Sequence, residues 1–216
     1  MALPGLTEVP VDAPMALWLA DLSSTPCAEA IGWLGAVEVG RATRFHHARD
    51  RSRYLAAHVA LRLVVDRCGG IAPQRQRYEC DALGRWRLAN QPEWRFSLSY
   101  AGERALIGVA GGHAIGVDIE VARPMGDADE LAALHFDAAE GRAYQGRPDR
   151  AATHLFLRGW TRKEACLKAI GLGLRVAPAS VHTGLDGPGE AAFGDDVIDL
   201  DSFEMHGLVA AWARVR

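Results

Sequence analysis

Gly116-Val117-Asp118-Ile119-Glu120, followed about 40 residues later by Trp160-Thr161-Arg162-Lys163-Glu164-Ala165-Cys166-Leu167-Lys168, is the pair of segments from which both fold and chemistry are read. Side chains alternate along a strand, so Ile115, Val117 and Ile119 are expected on a core face, with Asp118 and Glu120 side by side on the other. Two carboxylates that close raise each other's pKa unless a cation neutralises them. Paired hard oxygen ligands suit Mg²⁺, which takes few protein carboxylates and completes its shell with water and phosphate. Glu164 is a candidate third ligand, and on a helix it lies one turn from Lys168, so that a carboxylate and an ammonium face the same place. Two plainer readings stand beside this one. Most D-x-E strands are solvated faces of half-buried sheets, and Thr161-x-x-Glu164 fits a capping box in which Glu164 only satisfies a backbone donor.

The combination of an acidic pair after a glycine-broken apolar strand with a W-T-x-K-E-A-x-x-K helix resembles the 4′-phosphopantetheinyl transferases, in particular their larger, monomeric Sfp-type class. The resemblance extends over most of the chain. It takes in Arg44-Phe45-His46-His47 ahead of an Arg-rich helix, Gly84-Arg85 in a hairpin and Phe96-Ser97-Leu98-Ser99-Tyr100-Ala101-Gly102.

At 216 residues and 49% apolar content the chain can bury a real core, as one large domain or two small ones. A formal net charge of −3 gives no reason to expect a nucleic-acid partner, although basic residues crowd into positions 41 to 67. Cys27, Cys68, Cys80 and Cys166 form no C-x-x-C pair, so they read as reduced thiols rather than a zinc site or a disulfide framework. The first twenty residues do not resemble a signal peptide and no apolar run approaches a bilayer span, so a cytoplasmic protein without a membrane partner is expected. Neither a G-x-x-x-x-G-K-[ST] phosphate loop nor a G-x-S-x-G elbow occurs, and the histidines show no metal spacing.

Taken in order, residues 1 to 14 read as an irregular lead-in and Met15 to Ala20 as a first strand. A short helix is expected over Pro26 to Gly35. A long one follows near residues 48 to 68, stopped by Gly69-Gly70. Arg77 to Cys80 and Arg85 to Leu88 read as a hairpin around Asp81-Ala82-Leu83-Gly84. Strands follow at Trp94 to Ser99 and Leu106 to Ala110. After Glu120 come a loop, a short helix from Asp129 to Phe136, and a capping box at Asp137-Ala138-Ala139-Glu140 that opens another helix ending by Pro148. Arg150 to Ile170 is helical, with Phe156, Trp160, Lys163, Leu167 and Ile170 on one stripe. Strands are expected near 180 to 185, 197 to 203 and 208 to 215, with turns at Asp186-Gly187 and His206-Gly207. Strand, long Gly-terminated helix, strands: the order occurs twice, an internal echo that points to a duplication. The fold class is therefore α+β, with an N-terminal half over 1–112 and a C-terminal half over 113–216. The resemblance implies a pseudodimer of two such halves with the active site in the cleft between them.

The resemblance also implies roles. Arg41 and Arg44 stand where basic residues of that family bind the 3′-phosphate of coenzyme A, and Arg53 is a further candidate. Arg85 replaces the lysine of a G-K-P motif that contacts the cofactor, keeping the charge and losing the proline. Ser99 and Tyr100 lie in a segment where the family commonly has a histidine that holds a phosphate; a phenol still donates one hydrogen bond but supplies no cation. A glutamate near Glu140 approaches the family's active site. Asp118, Glu120 and Glu164 are the expected Mg²⁺ ligands, Lys168 the contact to the α-phosphate, Lys163 a second phosphate contact, and Glu164 the base. The reaction so implied moves the phosphopantetheine arm of coenzyme A to a serine of an acyl, polyketide or peptidyl carrier protein, by a monomeric enzyme. The alternatives are an Mg²⁺-dependent phosphohydrolase using the same carboxylates with water, and a non-catalytic coenzyme A binding protein.

Overall fold

Two long helices are each laid across an antiparallel sheet of their own. The computed structural model describes residues 3–82, 84–145 and 149–216. Leu83 of the expected hairpin turn and the expected helix stop at Pro148 lie outside them. Contacts divide the chain into two compact units, Met1–Gly112 and His113–Arg216.

The first unit runs β1 (Leu6–Val9), β2 (Ala16–Asp21), α1 (Ala28–Ile31), α2 (Ala36–Ala42), α3 (Ala48–Gly69), β3 (Tyr78–Cys80), β4 (Trp86–Leu88), β5 (Trp94–Ala101) and β6 (Arg104–Gly111). Its main sheet has the order β1-β2-β6-β5, and β3 with β4 makes a separate hairpin. Ala56, Ala57, Ala60, Leu61, Val64 and Val65 of α3 pack on Ala20, Ala105, Ile107 and Val109, the inward residues of β2 and β6. The alanines let the helix lie close to the sheet. Gly70 ends α3 with φ +65, a left-handed cap that a side chain would strain.

The second unit runs β7 (Ile115–Val121), α4 (Ala128–His135), α5 (Ala138–Tyr144), α6 (Asp149–Ala169), β8 (Gly189–Phe193), β9 (Asp196–Met205) and β10 (Leu208–Val215), with sheet order β7-β10-β9-β8. Ala165, Cys166, Leu167 and Ala169 of α6 pack on Ile198, Leu200, Ala211 and Ala213 of the sheet. Farther back along the helix, Phe156 and Leu157 join Phe136, Tyr144, Leu185 and Val209. The two units thus share a plan: a first strand (β2 or β7), a long helix, and a closing hairpin (β5-β6 or β9-β10) whose last strand pairs with the first. This is an α+β fold of two similar sheet-and-helix halves.

Three expectations need correction. The lead-in contains β1, paired antiparallel with β2 from Leu6 opposite Ala20 to Val9 opposite Leu17. The helix expected over Pro26 to Gly35 is only Ala28–Ile31, and a second one, α2, follows it. The strand expected at 180 to 185 is not a strand, although Val181, Thr183 and Leu185 are buried in the alternation that suggested one. Its backbone is satisfied by side chains instead of a neighbouring strand. Arg162 Nε and Nη2 donate to Thr183 O, Lys163 Nζ donates to Val181 O, and Thr183 N donates to Glu140 Oε1. Buried backbone groups must be paired somewhere, and here buried charges do it.

Candidate active site

Gly116, Asp118 and Glu120 share one face of β7 and sit in register opposite Ala213, Ala211 and Val209 of β10. That face looks onto α6. A Cβ built on Gly116 would fall 1.9 Å from the carbonyl oxygen of Ala165 and 2.6 Å from the amide of Ala169, so strand and helix touch backbone to backbone there. The expectation that the acidic face lies opposite the core is therefore corrected. Ile115, Val117 and Ile119 are buried as foreseen, but the acidic face is covered as well, and Asp118 is only 5% exposed.

The close approach brings Lys168 to Asp118. Lys168 Nζ donates to Asp118 Oδ1 at 2.6 Å and to Val117 O at 3.2 Å. Glu120 and Glu164 stand half-buried around this pair. Burial pushes the Glu120 carboxyl above its ordinary pKa, and the charges of Asp118 and Glu164 add to that, while Lys168 and Arg123 oppose it. Burial likewise pushes Glu164 up, with Lys168 opposing and Asp118 adding to the shift. Three carboxylates and one ammonium form a patch short of positive charge, the condition that a divalent cation relieves. Thr161 lies in the middle of α6, where its hydroxyl donates to Arg158 O at 3.1 Å, so it opens no helix and the capping-box reading of Glu164 fails.

Among the described residues, the group of Asp, Glu, His or Cys side chains whose ligand atoms converge within 4.8 Å is a different one, Asp137, Glu140 and His182. Its carboxylates are engaged in structure. Asp137 caps α5 by accepting from Ala139 N and Glu140 N, and Glu140 Oε2 accepts from Asp137 N, which is the expected capping box. Glu140 also pairs with Lys163 at 2.6 Å.

Lys163, expected on a phosphate, is not placed for one. Its side chain is fully buried, and Nζ donates to Pro178 O at 3.0 Å and Val181 O at 2.7 Å besides pairing with Glu140. An ammonium has three protons, and these three partners use them.

The remaining expected residues lie in the first unit. Arg41, in the last turn of α2, and Arg44 just beyond it are both exposed. Arg41 acts electrostatically on Tyr54 and Tyr100, whose hydroxyls burial pushes to higher pKa and Arg41 pulls back. Ser99 precedes Tyr100 in β5. Arg53 is held between Asp50 at 3.4 Å and Glu103 at 3.7 Å, and Arg85 Nε donates to Asp81 Oδ2 at 2.8 Å. The structure thus places Arg41 within electrostatic reach of Tyr100 and ties Arg53 and Arg85 to carboxylates of their own.

Sequence reasoning missed the buried cluster of Glu38, His58 and Arg62. Arg62 donates to both oxygens of Glu38, at 2.7 and 2.5 Å, and His58 Nδ1 lies 2.8 Å from Oε1. Although burial opposes it, these bonds with His58 and Arg62 hold Glu38 down at about 2. Its signal was present as a charged residue on the apolar stripe of a long helix, which Lys163 also displays.

The model of the 4′-phosphopantetheinyl transferase superfamily matches residues 114–206. The 4′-phosphopantetheinyl transferase HetI of Nostoc is 31% identical over 172 residues, 78% of this chain and 69% of that protein. The 4′-phosphopantetheinyl transferase Sfp of Bacillus subtilis is 27% identical over 149 residues, 69% of this chain and 65% of that protein. The 4′-phosphopantetheinyl transferase psf-1 of Bacillus pumilus is 26% identical over 150 residues, 69% and 63% respectively.

Proposed function

Since the chain belongs to the 4′-phosphopantetheinyl transferase superfamily, we propose that it is an Mg²⁺-dependent transferase that moves the phosphopantetheine arm of coenzyme A to a serine of a carrier protein. The single observation that carries this reading is the Asp118–Lys168 pair flanked by Glu120 and Glu164, two carboxyls raised by burial and, after it, by the neighbouring carboxylates. Asp118, Glu120 and Glu164 are the residues that would hold Mg²⁺, whose chemistry is to act as Lewis acid and template for diphosphate oxygens.

The chain's own side chains meet the other needs of the reaction. The serine oxygen bonds to the β-phosphorus, the bond from that phosphorus to the bridging oxygen breaks, and adenosine 3′,5′-bisphosphate leaves with the bridging electrons. Lys168 stabilises the charge that grows on the departing α-phosphate, a role for which its ammonium is already held at the acidic patch. Glu164 accepts the serine proton, directly or through a water, since the base must lie within hydrogen-bond reach of that hydroxyl. Arg41, Arg44, Ser99 and Tyr100 serve the phosphates of coenzyme A. The fork of a guanidinium matches phosphate oxygens, and Arg41, within electrostatic reach of Tyr100, supplies the cation that a phenol lacks.

The test is mass spectrometry of acyl, polyketide and peptidyl carrier proteins incubated with the enzyme, coenzyme A and Mg²⁺. At least one carrier is expected to gain one phosphopantetheine arm, and none to gain it without Mg²⁺. Phosphate release with no gain on any carrier would point to a hydrolase instead.

A further inference from the structure

Lys163 and Glu164 are neighbours in α6 with opposite surroundings, one sealed in the protein and the other beside the acidic patch. The Lys163 ammonium joins α6 to three things at once: the N-terminal turn of α5 through Glu140, and the carbonyls of Pro178 and Val181. Glu140 is 1% exposed and its other bonds run to Asp137 N and to the amide and hydroxyl of Thr183. A helix face made only of apolar groups can rotate by a few degrees at small cost, because dispersion contacts have little direction. An ion pair with five further fixed hydrogen bonds cannot. The same device occurs in the first unit. Glu38, at the same third position of the short helix α2, accepts from Gly35 N at 2.8 Å and grips Arg62 in the stripe of α3.

We propose that Glu140, acting through Lys163, is a positioning residue that fixes the rotation of α6 and so holds Glu164 and Lys168 towards Asp118. The inference rests on the reading of Asp118, Glu120 and Glu164 as the Mg²⁺ site. It places Glu140 outside the site while making the site depend on it.

The experiment is calorimetric titration of the full chain with MgCl₂, together with kcat, KM for coenzyme A and Tm. Glu140→Gln keeps the shape and much of the capping but removes the charge that Lys163 faces. It is expected to weaken Mg²⁺ binding by about 10- to 100-fold, the usual effect of losing a partner that orients a metal ligand. A matching fall in kcat and an unchanged KM for coenzyme A should accompany it. Lys163→Arg, which keeps the cation, is expected to retain at least part of the affinity. Ile107→Ala, a core truncation in the other unit, should lower Tm without moving Mg²⁺ affinity. Should Glu140→Gln not fold, the double variant Glu140→Met with Lys163→Met removes the pair in favour of apolar packing, which proteins commonly tolerate. Folded variants that bind Mg²⁺ as the wild type does would overturn the positioning role. A wild-type protein that binds no Mg²⁺ would overturn the metal reading itself, and this inference with it.

Discussion

Asp118 and Lys168 are 50 residues apart in the chain and 2.6 Å apart in space, and the character of the site depends on that contact. Lys168→Ala is expected to lower kcat by about 10²- to 10³-fold, the scale for losing one preorganised charge on a developing oxyanion. Steady-state kinetics with an unloaded carrier that accepts the arm checks it. A change confined to KM for the carrier would make Lys168 a docking residue. Glu120 carries the pH signature. Its folded pKa is raised above the ordinary value of 4.5, so the folded state holds that proton more tightly than the unfolded chain does. The resulting contribution to stability is full below 4.5 and is lost as pH rises through the folded value. Without divalent metal, wild type is therefore expected to lose Tm relative to Glu120→Gln over that rise, and Mg²⁺ to restore it. A Tm difference independent of pH would remove the crowding of carboxylates from the account.

Between elements, the decisive contact is β7 on α6. Gly116 is required there because any Cβ would overlap the Ala165 carbonyl. Gly116→Ala is expected to cost ~1–3 kcal/mol through overpacking and to lower activity further by moving Lys168 and Glu164 away from Asp118. Chemical denaturation and kinetics measure the two effects separately, and a variant with wild-type stability would contradict the contact. Much of this level was legible in the sequence. The stripe of Phe156, Trp160, Lys163, Leu167 and Ile170 marked the α6 face, and Asp137-x-x-Glu140 marked the start of α5. What could not be read was which face of β7 the helix covers. Alternation separates Asp118 from Val117 but does not say that both sides of the strand are buried, and the glycine at 116 was the one cue. The segment at 180 to 185 failed for a related reason. Its alternating burial is real, but its hydrogen bonds go to Arg162, Lys163 and Glu140, partners that no local pattern discloses.

At the scale of the molecule, the repeated plan of strand, long helix and closing hairpin showed in the spacing of the two glycine-ended helices. The edge strands β1 and β8 did not. In β1, Thr7 and Glu8 face solvent, and β8 carries Gly189 and Glu190, so neither has the apolar weight of a core strand. The two halves also differ where chemistry is proposed. Where β7 and α6 join Asp118 to Lys168, β2 and α3 place the Arg67 guanidinium 5.0 Å from the centre of the Trp18 ring. One half keeps a charged pair at the junction of first strand and long helix, and the other a cation on an aromatic face. Among the described residues no helix is long and apolar enough to cross a membrane.

The central claim is that Asp118, Glu120 and Glu164 hold one divalent cation. It is tested most directly by diffraction from crystals grown with coenzyme A and Mn²⁺, whose anomalous signal marks the ion. The account predicts a peak in contact with those three carboxylates. A peak at Asp137, Glu140 and His182 instead, or none at either place, would contradict it.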